Sequence, residues 1–280
     1  MKEKQFFYRC NFIFFVFAIV FLVSNTWNKA YATPMNEIQN YIEEFQKKSG
    51  VKNLSVVVYN NGNINYYGNT NTKCLYQIGS MTKSFTGLGI LKLINEGKLS
   101  LDDDISDLLD NFELYYNGNR ARISVEELLR HTSGFTNSER DYPSANPEMS
   151  LMEWVDSISK SELKFELGSS YSYANTNYNL LGAIIENVSG KSYKEYMEEE
   201  ILIPLQLENV FVGTPSKDVM ICEGTRLGYG IAFDYEIDVK EGRIPAGYLY
   251  ADIEDMCRYL MIQLGDAKIP EEYKKLIDSS

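Results

Sequence analysis

Apolar residues recur at helical spacing over much of the chain. In residues 36–49, Ile38, Tyr41, Ile42 and Phe45 share one face, and Gly50 follows as a stop. The period then changes. Residues 54–59 form a β-favouring run, Asn60-Asn61-Gly62-Asn63 has turn chemistry, and residues 64–67 return as a second strand. After a polar loop at 69–73, Phe85, Leu88, Leu91 and Ile94 predict an apolar helix that ends at Gly97. A short helical piece is expected around residues 105–109. Three more helices open at Ser124, Ser150 and Ser192, each with a glutamate three residues on (Glu127, Glu153, Glu195) to complete a capping box. A longer helix follows Asn175, with Leu180, Leu181, Ile184, Ile185 and Val188 buried and Gly190 as its stop. The last clear helix runs from Asp252 through Leu264. Residues 137–146 read as a polar loop of the kind that borders a cleft. Residues 210–247 are glycine-rich, weakly patterned and read as loop. One hairpin is too little sheet for so many helices. Either strands hide in residues 210–250 or part of the sheet is absent.

The N-terminus changes the picture of where this chain works. Lys2, Lys4 and Arg9 precede an apolar run at 12–23, and Ala30-Tyr31-Ala32 fits a small-x-small cleavage site. Residues 1–32 are therefore expected to be a signal peptide, with residues 33–280 as one exported domain. The protein would be secreted or held in the cell envelope, with a membrane contact only if the leader stays uncleaved. At 44% hydrophobic content the chain can bury a sizeable core. Its net charge of −12 disfavours nucleic acid and anionic membrane as partners. Cys74, Cys222 and Cys257 have no metal-ligand spacing; one disulfide can form, but buried thiols are the simpler expectation. The single histidine, His131, excludes a histidine-rich metal site, and no metal or other cofactor is expected. Its place at a helix end favours a bond to last-turn carbonyls over chemistry.

The chemistry concentrates at Ser80 and Lys83, three residues apart where Gly79 turns an extended segment into the apolar helix. Residues i and i+3 share a helix face, so the lysine can reach the serine hydroxyl. A desolvated, neutral amine can take that proton as attack begins. The four-residue pattern is cheap, since it recurs at Ser157/Lys160 and Ser161/Lys164. Those copies lie in a mixed polar run and read as solvated surface. Tyr173-Ala174-Asn175 is no more specific alone, because the same spacing occurs at Tyr59, Tyr67 and Tyr115.

Together these residues resemble the penicillin-recognising serine hydrolases: D-alanyl-D-alanine carboxypeptidases, AmpC-type β-lactamases and related esterases. The resemblance covers residues 36–265. It is carried by residues 78–86 around Ser80 and Lys83, by Leu93-Ile94-Asn95-Glu96-Gly97-Lys98-Leu99, and by Glu127-Leu128-Leu129-Arg130-His131-Thr132-Ser133-Gly134. It continues through Tyr171-Ser172-Tyr173-Ala174-Asn175, Leu180-Leu181-Gly182 and Pro245-Ala246-Gly247. It implies an α+β fold, with an antiparallel sheet covered by helices and a mostly helical second lobe. It also implies a nucleophile, Ser80, whose proton is shared by Lys83 and Tyr173, with Asn175 binding a substrate amide and holding Lys83. The substrates would be small molecules or peptides carrying an amide, ester or β-lactam carbonyl.

One departure stands beside the match. The family's third motif, Lys-Thr-Gly or His-x-Gly, lies on a strand after Pro-Ala-Gly and supplies an oxyanion donor; here no histidine follows His131, and Lys240-Glu241-Gly242 precedes Pro245. The resemblance therefore implies missing C-terminal strands and a Ser80 helix left partly uncovered. The alternative function is a catalytically impaired relative that binds or is acylated by such substrates without turnover.

Overall fold

The computed structural model describes residues 35–68, 71–136, 148–216, 218–228, 231–235 and 239–279. The expected signal peptide and the polar loop at 137–146 lie outside the described residues. Helix α1 (Met35–Ser49) leads into a hairpin of β1 (Ser55–Asn60) and β2 (Asn63–Gly68), paired from Ser55 opposite Gly68 to Asn60 opposite Asn63. Asn61 and Gly62 both take positive φ, which a two-residue hairpin turn with strand-matched twist requires. α1 packs on β2 but buries less than its periodicity implied. Ile42 is buried, whereas Tyr41 is 72% and Phe45 44% exposed. A two-stranded ribbon is too narrow to cover the whole stripe.

The chain continues through β3 (Tyr76–Gln77), a 3-10 turn (Gly79–Met81), α2 (Thr82–Asn95), α3 (Ile105–Leu108), β4 (Leu114–Tyr116), β5 (Asn119–Ala121), α4 (Val125–Leu129), α5 (Leu151–Ile158) and α6 (Asn175–Ser189). After α7 (Tyr193–Met197) come α8 (Ile203–Leu205), β6 (Val210–Val212), β7 (Gly224–Gly228), β8 (Ile231–Tyr235), α9 (Ile244–Gly247), β9 (Leu249–Ala251), α10 (Ile253–Gln263) and α11 (Glu271–Ser279). All three capping boxes form, at Ser124, Ser150 and Ser192.

Two expectations are corrected here. Residues 210–247 are not a loop: they contain β6, β7 and β8, and β9 follows at once. β9 pairs antiparallel with β6 on one side and with β3 on the other, giving a three-stranded sheet that runs into the Ser80 turn. These strands escape pattern reading because β6 and β9 are three residues long. β9 is buried throughout, so it shows no alternation. Second, α2 is not left uncovered. Phe85, Leu88, Ile90 and Leu93 are buried, α6, α7, α9 and α11 pack around the helix, and Phe85 stacks on Tyr259 of α10 at 4.1 Å. Helix α11, which the sequence pattern did not reveal, contributes buried Tyr273 and Leu276 to this cover.

A third correction concerns the cysteines. Cys74 and Cys222 form a disulfide across 148 residues of sequence, and Cys257 is a buried free thiol. The disulfide sits beside a short parallel bridge between Leu75 and Ile221, where Leu75 N–H donates to Met220 and Cys222 N–H to Leu75. It pins the segment before β7 to the strand that leads to Ser80. Because it closes so long a loop, reduction or Cys222→Ser should lower unfolding free energy by about 2–5 kcal/mol. Urea titrations with and without reductant measure this, and coincident transitions would contradict it.

Candidate active site

Ser80 occupies the 3-10 turn between β3 and α2. Gly79 enters that turn at φ +54°, the left-handed region that glycine reaches without a Cβ clash. The Ile78 N–H donates to the Leu249 carbonyl, so the sheet edge fixes the turn directly. The Ser80 side chain is exposed, and its backbone N–H belongs to a first helical turn, where leading N–H groups lack intrahelical partners. Lys83, the second residue of α2, is only 5% exposed. Tyr173 and Asn175 arrive from the other side, on the extended segment before α6 and on its first residue.

These four residues meet. Ser80 Oγ lies 2.7 Å from Tyr173 Oη and 3.2 Å from Lys83 Nζ. Lys83 Nζ also donates to Asn175 Oδ1 at 2.8 Å and to the Ala246 carbonyl at 2.5 Å. The Ser-x-x-Lys pairs at Ser157/Lys160 and Ser161/Lys164 do not resemble this arrangement: Ser157, Lys160 and Lys164 are exposed, and Ser157 Oγ donates to the Trp154 carbonyl.

Burial lowers the Lys83 ammonium from its ordinary value of 10.5 to about 7. A neutral amine has two hydrogens and one lone pair. Asn175 Oδ1 and the Ala246 carbonyl cannot donate, so they take the two hydrogens, and the lone pair is left facing Ser80 Oγ. Burial pushes the Tyr173 phenol up, partly offset by its bond to Ser80, so it stays protonated at neutral pH. These shifts favour neutral amine with phenol over ammonium with phenolate.

The Ala246 carbonyl was not legible as a site group, because it acts through the backbone. Its position depends on a close approach between α9 and α6. A Cβ on Gly182 would fall 2.2 Å from Pro245 Cγ and 2.6 Å from its Cβ. Gly182→Ala should therefore push Pro245 and Ala246 off Lys83, costing about 1–3 kcal/mol in stability. Acylation at Ser80 should slow at the same time. Unchanged melts and labelling rates would show that the contact is not needed.

His131 also departs from its expected role. The last-turn carbonyls of α4 are already satisfied without it: Thr132 N–H donates to Glu127 and His131 N–H to Leu128, closing the helix in a Schellman pattern, and the Tyr178 hydroxyl donates to Leu129. His131 takes the left-handed C′ position at φ +58°, at a cost of about 1 kcal/mol for a non-glycine residue. Its ring turns inward. It lies 4.8 Å from the Tyr173 ring, 5.2 Å from Tyr178 and 5.8 Å, edge-on, from Tyr171. Burial, and then the Lys83 charge, lower its pKa to about 4, so it is neutral at physiological pH.

The fold and this cluster define a class, and the chain belongs to the Beta-lactamase family, whose model matches residues 38–279. Among curated proteins, Protein flp of Staphylococcus aureus (strain N315) is 30% identical over 257 residues, 87% of this chain and 51% of that protein. A putative D-alanyl-D-alanine carboxypeptidase of Escherichia coli (strain K12) is 33% identical over 145 residues, 49% of this chain and 33% of that protein. The octameric penicillin-binding protein homologue from Pyrococcus abyssi superposes with a TM-score of 0.74 at 27% identity, covering 86% of this chain and 59% of that one. The chain thus spans about half the length of the curated relative first named.

Proposed function

We propose that this chain is an exported serine hydrolase that works through an acyl-serine intermediate. The observation that carries the proposal is the three-way hold on Lys83 Nζ, between Asn175 Oδ1 and the Ala246 carbonyl and within reach of the Ser80 hydroxyl. Lys83 takes the Ser80 proton as Oγ bonds to the substrate carbonyl carbon. Tyr173, hydrogen-bonded to the same oxygen, gives its proton to the leaving group and is reprotonated from Lys83. Asn175 holds Lys83 and borders the position of a substrate amide. The substrates are amide, ester or β-lactam carbonyls, with D-alanyl or related cell-wall peptides the favoured class; the carboxypeptidase name of the Escherichia coli relative supports that choice. Export is supported by the basic-apolar leader with its Ala-Tyr-Ala site and by the Cys74–Cys222 disulfide, since such bonds persist in oxidising compartments.

A second reading is acylation without turnover, the course expected where a second oxyanion donor beside the Ser80 N–H is missing. Losing one such donor typically slows the reaction by about a hundred- to a thousandfold. Intact-protein mass after mixing with penicillin separates the two. An adduct that forms and then decays supports hydrolysis, one that persists supports the second reading, and no adduct contradicts β-lactams as substrates.

A further inference from the structure

We infer that His131 is the positioning residue that sets Tyr173 and Asn175 against Ser80 and Lys83, acting as a hydrogen-bond acceptor through Nδ1. The inference rests on the serine-hydrolase reading and adds a residue to it. His131 holds the segment between the two site residues at two points. Its carbonyl accepts the Ser172 N–H at 2.9 Å, and its Nδ1 accepts the Ala174 N–H at 3.2 Å. Those amides flank Tyr173, and Ala174 separates it from Asn175. The extended conformation there (Ala174 φ −142°, ψ +127°) sends Tyr173 toward Ser80 and starts α6 at Asn175.

The tautomer follows from the partners. A backbone N–H can only donate, so Nδ1 carries the lone pair and Nε2 carries the proton. The Asn177 side chain agrees: its Oδ1 accepts from Ser133 Oγ at 2.6 Å, which turns Nδ2 toward His131 Nδ1 at 3.0 Å. Both Asn177 and Ser133 are fully buried. The buried Asn177 amide and the Ala174 main-chain N–H thus converge on one ring nitrogen, and the ring itself stands against Tyr173.

Two substitutions separate this role from plain packing. His131→Phe keeps a ring and its bulk but has no acceptor. His131→Asn loses the ring but places Oδ1 close to where Nδ1 stood, and asparagine tolerates left-handed φ. The readout is the rate of Ser80 labelling by a fluorophosphonate, alongside the thermal melt of each variant. If the acceptor matters, H131F labels slower by about tenfold or more, on the scale of other small misplacements of reacting groups, and H131N recovers most of the rate. If the ring only fills space, the order reverses, and the inference is overturned. Should H131F fail to fold, H131N decides alone: a folded protein that labels normally supports the role, and a folded one that does not overturns it.

A second readout does not depend on activity. His131 is the only histidine, so 15N-histidine labelling yields one ring. Its nitrogen shifts at pH 7 should show Nδ1 unprotonated and Nε2 protonated; a protonated Nδ1 would overturn the inference even if the enzyme is active. Conversely, wild-type protein that never labels at Ser80 refutes the hydrolase reading, while the nitrogen shifts still decide the hydrogen bond.

Discussion

Lys83→Arg is expected to abolish acylation of Ser80 while leaving the chain folded. The substitution keeps a positive charge on a long stem, so a purely electrostatic role would survive it. A guanidinium does not deprotonate in proteins and has no lone pair to offer the serine hydroxyl. The wild-type protein supplies the complementary test. With the Lys83 pKa lowered to about 7 by burial, the neutral, base-competent fraction grows as pH rises through that value. The labelling rate should climb with pH, reach half its plateau near 7 and level off above it. The same shift has a sign in stability. The unfolded chain holds the lysine proton up to 10.5, so this group destabilises the fold most below about 7, and that penalty fades as pH rises toward 10.5. An Lys83→Arg protein that labels normally, or a flat wild-type pH profile, contradicts the role given to the amine.

Tyr173→Phe is expected to slow acylation by a factor on the order of a hundred or more, the usual loss for a positioned acid–base group. Phenylalanine preserves the ring contact with His131 and removes only the hydroxyl that lies 2.7 Å from Ser80 Oγ. The fold should therefore be unchanged. The loss should be larger for substrates with poor leaving groups, such as amides, than for activated esters, because the proton from Tyr173 is delivered to the leaving atom. Equal losses for both would move Tyr173 out of the acid role, and near-normal rates would remove it from the mechanism.

How much of this was legible in the sequence depends on the kind of signal. The helices with capping boxes and the Asn61-Gly62 hairpin were readable because their determinants are local. Ser80 and Lys83 lie within one helical turn, and the resemblance brought Tyr173 and Asn175 to them across 90 residues of chain. β6 and β9 were not readable: three-residue strands stabilised by partners far away carry little local pattern. The Cys74–Cys222 pairing was equally hidden, because spacing alone does not say which thiols meet. Ala246 contributes a carbonyl, which any residue owns. His131 was visible as a residue but misassigned. Its helix closes on backbone N–H groups, which turns the ring inward to the site.

The account stands on Ser80 as the one nucleophile, and a single measurement meets that claim directly. The protein is treated with a fluorophosphonate probe, digested, and the modified peptide identified by mass, in parallel with Ser80→Ala. The account predicts one labelled site, Ser80, and no label in the variant. Label on Ser157, Ser161 or any other residue, or label that survives Ser80→Ala, would contradict it.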